Sequence, residues 1–267
     1  VLIFSLEMAR NELIAKSVSR LTLIEDMERN GSTAHAKTTR GILTGTRYAD
    51  YTQTERELIQ YAISAYGKYA KNIYITEGIG NVGVDEIRDK VQKHIKLTGK
   101  APVVVIDYLQ IIAPADMRAT DKQNTDKAVL ELKRLSRDYG IPVIGISSFN
   151  RDNYTAPVNL ASFKESGAIE YSSDVLLGLQ YEGMDYQEGE AEKAREKRIR
   201  ELMKQTIADG KSGQPQKIQV KILKNRNGSK GDALLDFYPM FNYFTAKKTA
   251  EGEGANNGWS RAGSSYK

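Results

Sequence analysis

The stretch that most constrains this chain is Pro102–Ile112, PVVVIDYLQII. Val103 to Ile106 are apolar without alternation, the pattern of a strand buried on both faces of a parallel sheet. The run ends in Asp107, a carboxylate at the carboxyl end of its strand, where open α/β sheets place their ligands. An acid there commonly holds the magnesium of a bound nucleotide. Read alone, the stretch is equally a buried strand closed by a turn-forming Asp.

Its surroundings narrow the choice. A chain of 267 residues, 40% hydrophobic and 27% charged, buries a full core as one large domain or two small ones. No apolar run reaches the ~18 residues of a membrane span. The chain opens on Val1 inside an apolar strand, so it reads as a fragment. With no cysteine, disulfides and Cys-ligated zinc are excluded, in keeping with a cytoplasmic setting. His35 and His94 lie far apart among polar residues and read as surface positions, not a metal site. The net charge of +5 suits a polyanionic partner without requiring one.

Strands are expected at Val1–Ser5, with Glu7 just past the end, and at Ile73–Ile75, Pro142–Ser148 and Val175–Leu179. A helical stripe runs over Asn11–Ile24, with a weaker pattern around Thr39–Leu43. Thr52 or Thr54 caps a helix reaching about Tyr69, Asp85 opens another, and a third carries Ala128, Leu132 and Leu135 to a stop near Gly140. Strand–helix–strand at this spacing predicts right-handed βαβ units and a mostly parallel sheet flanked by helices. Glu188–Ile207 is charged almost all round and reads as a solvated helical insertion. Ile218–Lys224 and Ala233–Tyr238 flank the turn Asn227–Gly228 and read as a C-terminal β-hairpin. The expected organisation is one α/β domain over 1–246, with a charged helical insertion at about 182–216, and a disordered tail over 247–267.

The chain contains one GK[ST], at Gly210–Lys211–Ser212. A phosphate loop needs GxxxxGK[ST] between a buried strand and a helix. Gln205 stands where the first Gly belongs, and a charged helical pattern precedes it. It reads as a decoy.

Five other segments make a more specific set: SLEM (Ser5–Met8), VVVIDYLQ (Val103–Gln110), ISSFNRD (Ile146–Asp152), KESGAIE (Lys164–Glu170) and LKNRNG (Leu223–Gly228). In order and spacing they resemble the ATPase domain of the DnaB family of hexameric replicative helicases, over Val1 to Ala246. The resemblance implies a RecA-like fold, ATP and Mg2+, and a homo-oligomeric ring translocating 5′ to 3′ on single-stranded DNA, with primase and a helicase loader as partners. Glu7 then matches the glutamate that polarises the attacking water, and Asp107 the acid supporting magnesium, directly or through water. Lys224 and Arg226, which leave a hairpin from the same face, match the basic pair that a neighbouring subunit inserts into the ATP site. Lys164, Glu165 and Gly167 match the DNA-binding segment, and Arg151 lies in the loop entering it.

Two departures stand out. The family's phosphate loop lies on the strand–helix unit directly before the SLEM strand, so this chain is expected to lack it and to hydrolyse ATP poorly alone. The family also has Gln after the Ser of the third strand, a sensor of the γ-phosphate; here that position is Ser148, whose side chain is shorter. Two other readings stand beside the helicase: a RecA/RadA-type recombination ATPase, and a catalytically inactive RecA-like DNA-binding or assembly module.

Overall fold

In a computed structural model describing residues 1–78, 82–149, 155–163 and 167–246, the apolar runs become short parallel strands. β1 (Leu2–Ser5), β2 (Tyr74–Glu77), β3 (Val104–Asp107) and β4 (Val143–Gly145) form a sheet in the order β2-β1-β3-β4. Every pair in it is parallel. Helices α1 (Arg10–Asn30), α2 (Thr39–Leu43) and α3 (Gln53–Ala70) join β1 to β2. α4 (Val84–Thr98) joins β2 to β3, and α5 (Asp121–Tyr139) joins β3 to β4.

One face of the sheet is sealed. Leu2, Phe4, Leu6, Val104 and Ile106 pack with Ile87 and Val91 of α4 and Leu132 and Leu135 of α5. The other face is only partly covered. Val105 and Asp107 are half-buried and line a cavity of about 290 Å³ with Ile3, Lys16, Arg20 and Tyr66. The central strand is therefore fully buried on one side only. The strand expected over Pro142–Ser148 is shorter, and Ile144 and Ile146 stay 52% and 46% exposed. β4 pairs only with β3 among the described residues, which explains that exposure.

The helix ends follow local chemistry. Thr52 Oγ1 accepts the Glu55 amide at 3.3 Å while the Glu55 carboxylate accepts the Thr52 amide at 2.7 Å, a reciprocal cap. Gly140 ends α5 at φ +60°, a left-handed conformation that costs glycine little. α1 continues past Ile24 to Asn30 because its last turns bury polar groups on a passing loop. Asp26 accepts the amides of His35 at 2.8 Å and Ala36 at 3.1 Å, and Thr22 Oγ1 accepts that of Lys37 at 2.9 Å. An apolar stripe does not record such contacts.

The C-terminal hairpin is present and extended on both sides. β5 (Val175–Tyr181), β6 (Gln216–Asn225), β7 (Gly231–Tyr238) and β8 (Tyr243–Ala246) form an antiparallel sheet in that order. α6 (Gly167–Ser172) leads into β5, and α7 (Glu192–Lys211) connects β5 to β6. Val158, Phe163, Ile169 and Leu176 join the same core cluster as β1 and β3, so one core underlies both sheets. β5 comes close to residues 155–158: a Cβ on Gly178 would sit 2.6 Å from Val158 Cγ2.

α7 buries Ile199, Thr206 and Gly210 and exposes most of the rest, as its charge pattern predicts. Gly210–Lys211–Ser212 falls at its C-terminal end, where the Ser212 amide donates to Ala208 O at 3.0 Å. That geometry leaves no amide cradle for a phosphate. No helix of the described residues is long and apolar enough to cross a membrane. His35 lies 3.2 Å from Asp26, and His94 packs edge-on against Tyr74.

Candidate active site

Two groups of predicted residues occupy different parts of the molecule. The first sits at the carboxyl edge of the parallel sheet. Ser5 pairs with both Asp107 and Glu77, and Leu6 N donates to Asp107 O at 2.9 Å. The two strands end in step, about 4.8 Å apart, and Glu7 follows two residues past the position that pairs with Asp107. Glu7 is exposed in the bend after β1, and Asp107 is half-buried at the mouth of the cavity. Neither carboxylate has a hydrogen-bond or ion-pair partner among the described residues. Glu77 differs, since it accepts the Arg10 amide and closes β2 onto α1.

No group of three or more His, Cys, Asp or Glu among the described residues is placed to hold a metal. Magnesium sites of nucleotide-binding proteins commonly use one or two carboxylates together with phosphate oxygens and water. Asp107, half-buried and unpartnered, is the side chain best placed to hold it.

Ser148 lies exposed beyond β4. Its backbone is clamped by a residue that sequence reasoning left without a role. Gln110 Nε2 donates to Ser147 Oγ at 2.9 Å and to Ser148 O at 3.2 Å, and the Ser148 amide donates back to Gln110 Oε1 at 3.4 Å. A carboxamide thus reaches the end of β4 from the turn that follows β3. The signal was the Gln in VIDYLQ, three residues after the acid; its direction needed the fold.

The second group gathers where β6 ends. Lys224 Nζ donates to Glu170 O at 2.6 Å and Tyr171 O at 3.2 Å, two carbonyls in the last turn of α6. A cation is well placed there, where carbonyls are left unpaired. Arg226 Nη1 lies 2.9 Å from Asp174 Oδ1, and its amide donates to Asp174 O at 2.9 Å. Lys133 of α5 reaches the other oxygen, Asp174 Oδ2, at 2.5 Å. This Lys133 hydrogen bond chiefly, with the charges of Lys133, Arg226 and Lys224, holds the Asp174 carboxyl below its ordinary value against the opposing effect of burial. Sequence reasoning missed Asp174 and Lys133. Both lie far from Arg226 in the chain, and neither belongs to a motif.

The segment expected to meet DNA is described in part. Gly167 starts α6, and the next amide, Ala168, donates to Asp126 Oδ1 at 3.1 Å. Arg151, Lys164 and Glu165 lie outside the described residues. Past 150–154 the chain is anchored twice: Arg195 of α7 donates to Thr155 O at 2.8 Å, and the Val158 amide donates to Gln180 Oε1 at 2.7 Å.

Residues 1–246 match the family model of the DnaB-like helicase C terminal domain. The replicative DNA helicase DnaB of Helicobacter pylori (strain ATCC 700392 / 26695) is 27% identical over 262 residues, covering 90% of this chain and 48% of that protein. DnaB of Pasteurella multocida is 26% identical over 254 residues, covering 91% of this chain and 44% of that protein. The chain therefore spans a little under half the length of these relatives. Among solved structures, a DnaB-like replicative helicase described with its interactions with primase superposes with a TM-score of 0.67 at 22% identity, covering 91% of this chain and 50% of that one. A second solved structure, an ATPase domain, superposes with a TM-score of 0.66 at 21% identity, covering 92% of this chain and 74% of that one. These two establish a shared fold.

Proposed function

The chain belongs to the family of DnaB-like helicase C-terminal domains, and from that premise we propose that it is the ATPase and translocation domain of a replicative DNA helicase. The observation that carries this reading is the register of β1 with β3. It sets the end of β1 level with Asp107, with Glu7 two residues beyond, and neither carboxylate has a partner among the described residues, at the sheet edge where α/β proteins bind ligands.

In the intact protein ATP binds at that edge. Asp107 would hold magnesium, directly or through water, and the ion would supply positive charge to the phosphate oxygens there. Glu7, open to solvent, orients the attacking water and accepts its proton. The phosphate loop comes from a part of the intact protein outside this sequence, since the GK[ST] here closes α7. The half-exposed Ile144 and Ile146 support that reading, because a further strand alongside β4 would cover them. Ser148 and the Gln110 clamp stand where a sensor of the γ-phosphate would pass its signal to the loop that follows.

Lys224 and Arg226 serve the neighbouring subunit's nucleotide. They make no contact with Glu7 or Asp107 of their own chain among the described residues, which suits a role across a subunit boundary in a homo-oligomeric ring, taken as a hexamer. Lys164, Glu165 and Gly167, with Arg151, are assigned to binding single-stranded DNA in the ring's channel. Hydrolysis around the ring moves the strand 5′ to 3′, in the cytoplasm, with primase and a loader as partners.

The test is Arg226→Ala in the intact protein. DNA-stimulated ATP hydrolysis falls by about 10³-fold, the order seen for basic fingers elsewhere, while circular dichroism stays unchanged. Turnover retained within tenfold overturns the assignment.

A further inference from the structure

α7 carries seven Lys and Arg against four Asp and Glu, and the signs are not mixed evenly round it. At about 3.6 residues per turn, Lys193, Lys197, Arg200, Lys204 and Lys211 fall within an arc of about 60°, which contains no carboxylate. With a rise of about 1.5 Å per residue the row is about 27 Å long. All five side chains are exposed, and none has an ion-pair or hydrogen-bond partner among the described residues. Glu192, Glu196 and Glu201 lie on the flanks.

The two arginines outside the arc are used differently. Arg198 pairs with Glu190 at 2.7 Å and donates to Gly183 O. Arg195 stacks on Tyr186 and donates to Thr155 O at 2.8 Å. These contacts fix the helix to the body of the protein and tie its first turns to the backbone that directly follows residues 150–154. The five outward cations are left to solvent.

We infer that the outward face of α7 is a nucleic-acid contact that tracks a phosphate backbone, in addition to the segments around Arg151 and Lys164. A straight row of one sign matches a polyanion. At about 3.4 Å per nucleotide of stacked strand, 27 Å spans roughly eight phosphates. Interfaces with proteins need buried aromatic or apolar anchors. Here the nearest apolar side chain is Ile207, one isolated residue at the margin of the row. Contacts of this kind are indifferent to sequence and weaken with salt, because each neutralised phosphate releases counterion. The inference needs none of the hydrolytic roles proposed above.

The experiment uses the 267-residue chain and a fluorescein-labelled 30-nucleotide oligo-dT, with affinity followed by anisotropy across a salt series. K193Q/K197Q/R200Q/K204Q keeps good helix formers on the face and removes four cations. It is expected to bind at least tenfold more weakly at about 0.1 M salt, and to flatten the log–log salt slope by about 3, at roughly 0.7 per lost phosphate contact. K193R/K197R/K204R keeps the charge and is expected to bind like the parent. K90Q/K93Q/K96Q/K100Q, on and just after α4, removes the same charge elsewhere and is expected to stay within twofold. Unchanged binding by the α7 variant overturns the inference, as does an equal loss in the α4 variant. Competition by poly-glutamate as effective as that by oligo-dT also overturns it. Since no ATP turnover is read, failure here leaves the active-site proposal to its own test.

Discussion

The carboxyl edge of the parallel sheet and the end of β6 carry complementary charges, yet they are finished in opposite ways. At the sheet edge Glu7 and Asp107 have no partners among the described residues. At the end of β6 three cations are engaged: Lys224 on the carbonyls of α6, Arg226 and Lys133 on Asp174. In the proposed function the open carboxylates receive a ligand from outside the chain, and the held cations exchange a weak partner for a stronger one. Arg226 and Asp174 are 53% and 52% exposed, and such pairs contribute about 0–1 kcal/mol, so little opposes their release toward a phosphate. Lys224 grips α6 directly after the segment assigned to DNA, so its release would also free that helix end.

The largest effect expected bears on whether the two regions work together. In the intact protein, Glu7→Gln and Arg226→Ala each lower ATP turnover by about 10³, or about 4 kcal/mol of activation free energy. Mixing the two inactive variants restores part of the activity, because some boundaries then pair an intact Glu7 with an intact Arg226. No recovery on mixing would return both residues to one chain and break the comparison.

Next comes the core that both regions share. Ile106→Ala removes a fully buried side chain from β3 and costs about 2–5 kcal/mol, read as a lower urea midpoint. Gly178→Val drives a side chain into Val158 and costs about 1–3 kcal/mol. Because β5 lies between residues 155–158 and β6, it also speeds hydrogen exchange at Val158 and along β6. Exchange increased only in the parallel sheet would show that the two regions are not joined through β5.

Asp174→Asn has the smallest effect on stability, below about 1 kcal/mol for so exposed a group. Its pH dependence is the informative part. The folded carboxyl titrates below its ordinary value of 3.8. Its contribution is therefore complete above that value and lost as pH falls through the lower folded value. The variant loses stability relative to the parent at pH 7, and the difference narrows on acidification below pH about 4. Tryptic cleavage at Arg226 should quicken as the side chain comes free. Identical cleavage rates would mean that Asp174 does not hold the pair.

Much of this was legible in the amino-acid sequence, and for local reasons. Thr52 and Gly140 act on groups within a turn of themselves, so the start of α3 and the end of α5 follow from residue type. The run ahead of Asp107 reads as a buried strand because unbroken apolar residues have no solvent face to supply. The charged, helical surroundings of the GK[ST] at 210–212 argue against a phosphate loop, and it ends a helix. Polar burial was harder. Asp26 and Thr22 lie on the inward side of α1, where a hydrophobic stripe breaks off, and only the loop that folds over them explains the extra turns. Gln110 belongs to the VIDYLQ motif, but its direction is set only by β3 and β4 lying side by side.

By itself, then, the chain's sequence determined most of the strands, several of the helix ends, and which acids and bases belong to the family's motifs. These depend on neighbours within about four residues and on the solvent preference of each side chain. Tertiary structure alone decided that Ser5 stands opposite Asp107, that Arg226 turns to Asp174, and that Arg195 faces inward while Lys193, Lys197, Arg200, Lys204 and Lys211 face out. Such choices are set by strand register and helix rotation. Many distant contacts determine them together, and no local pattern of residues encodes them.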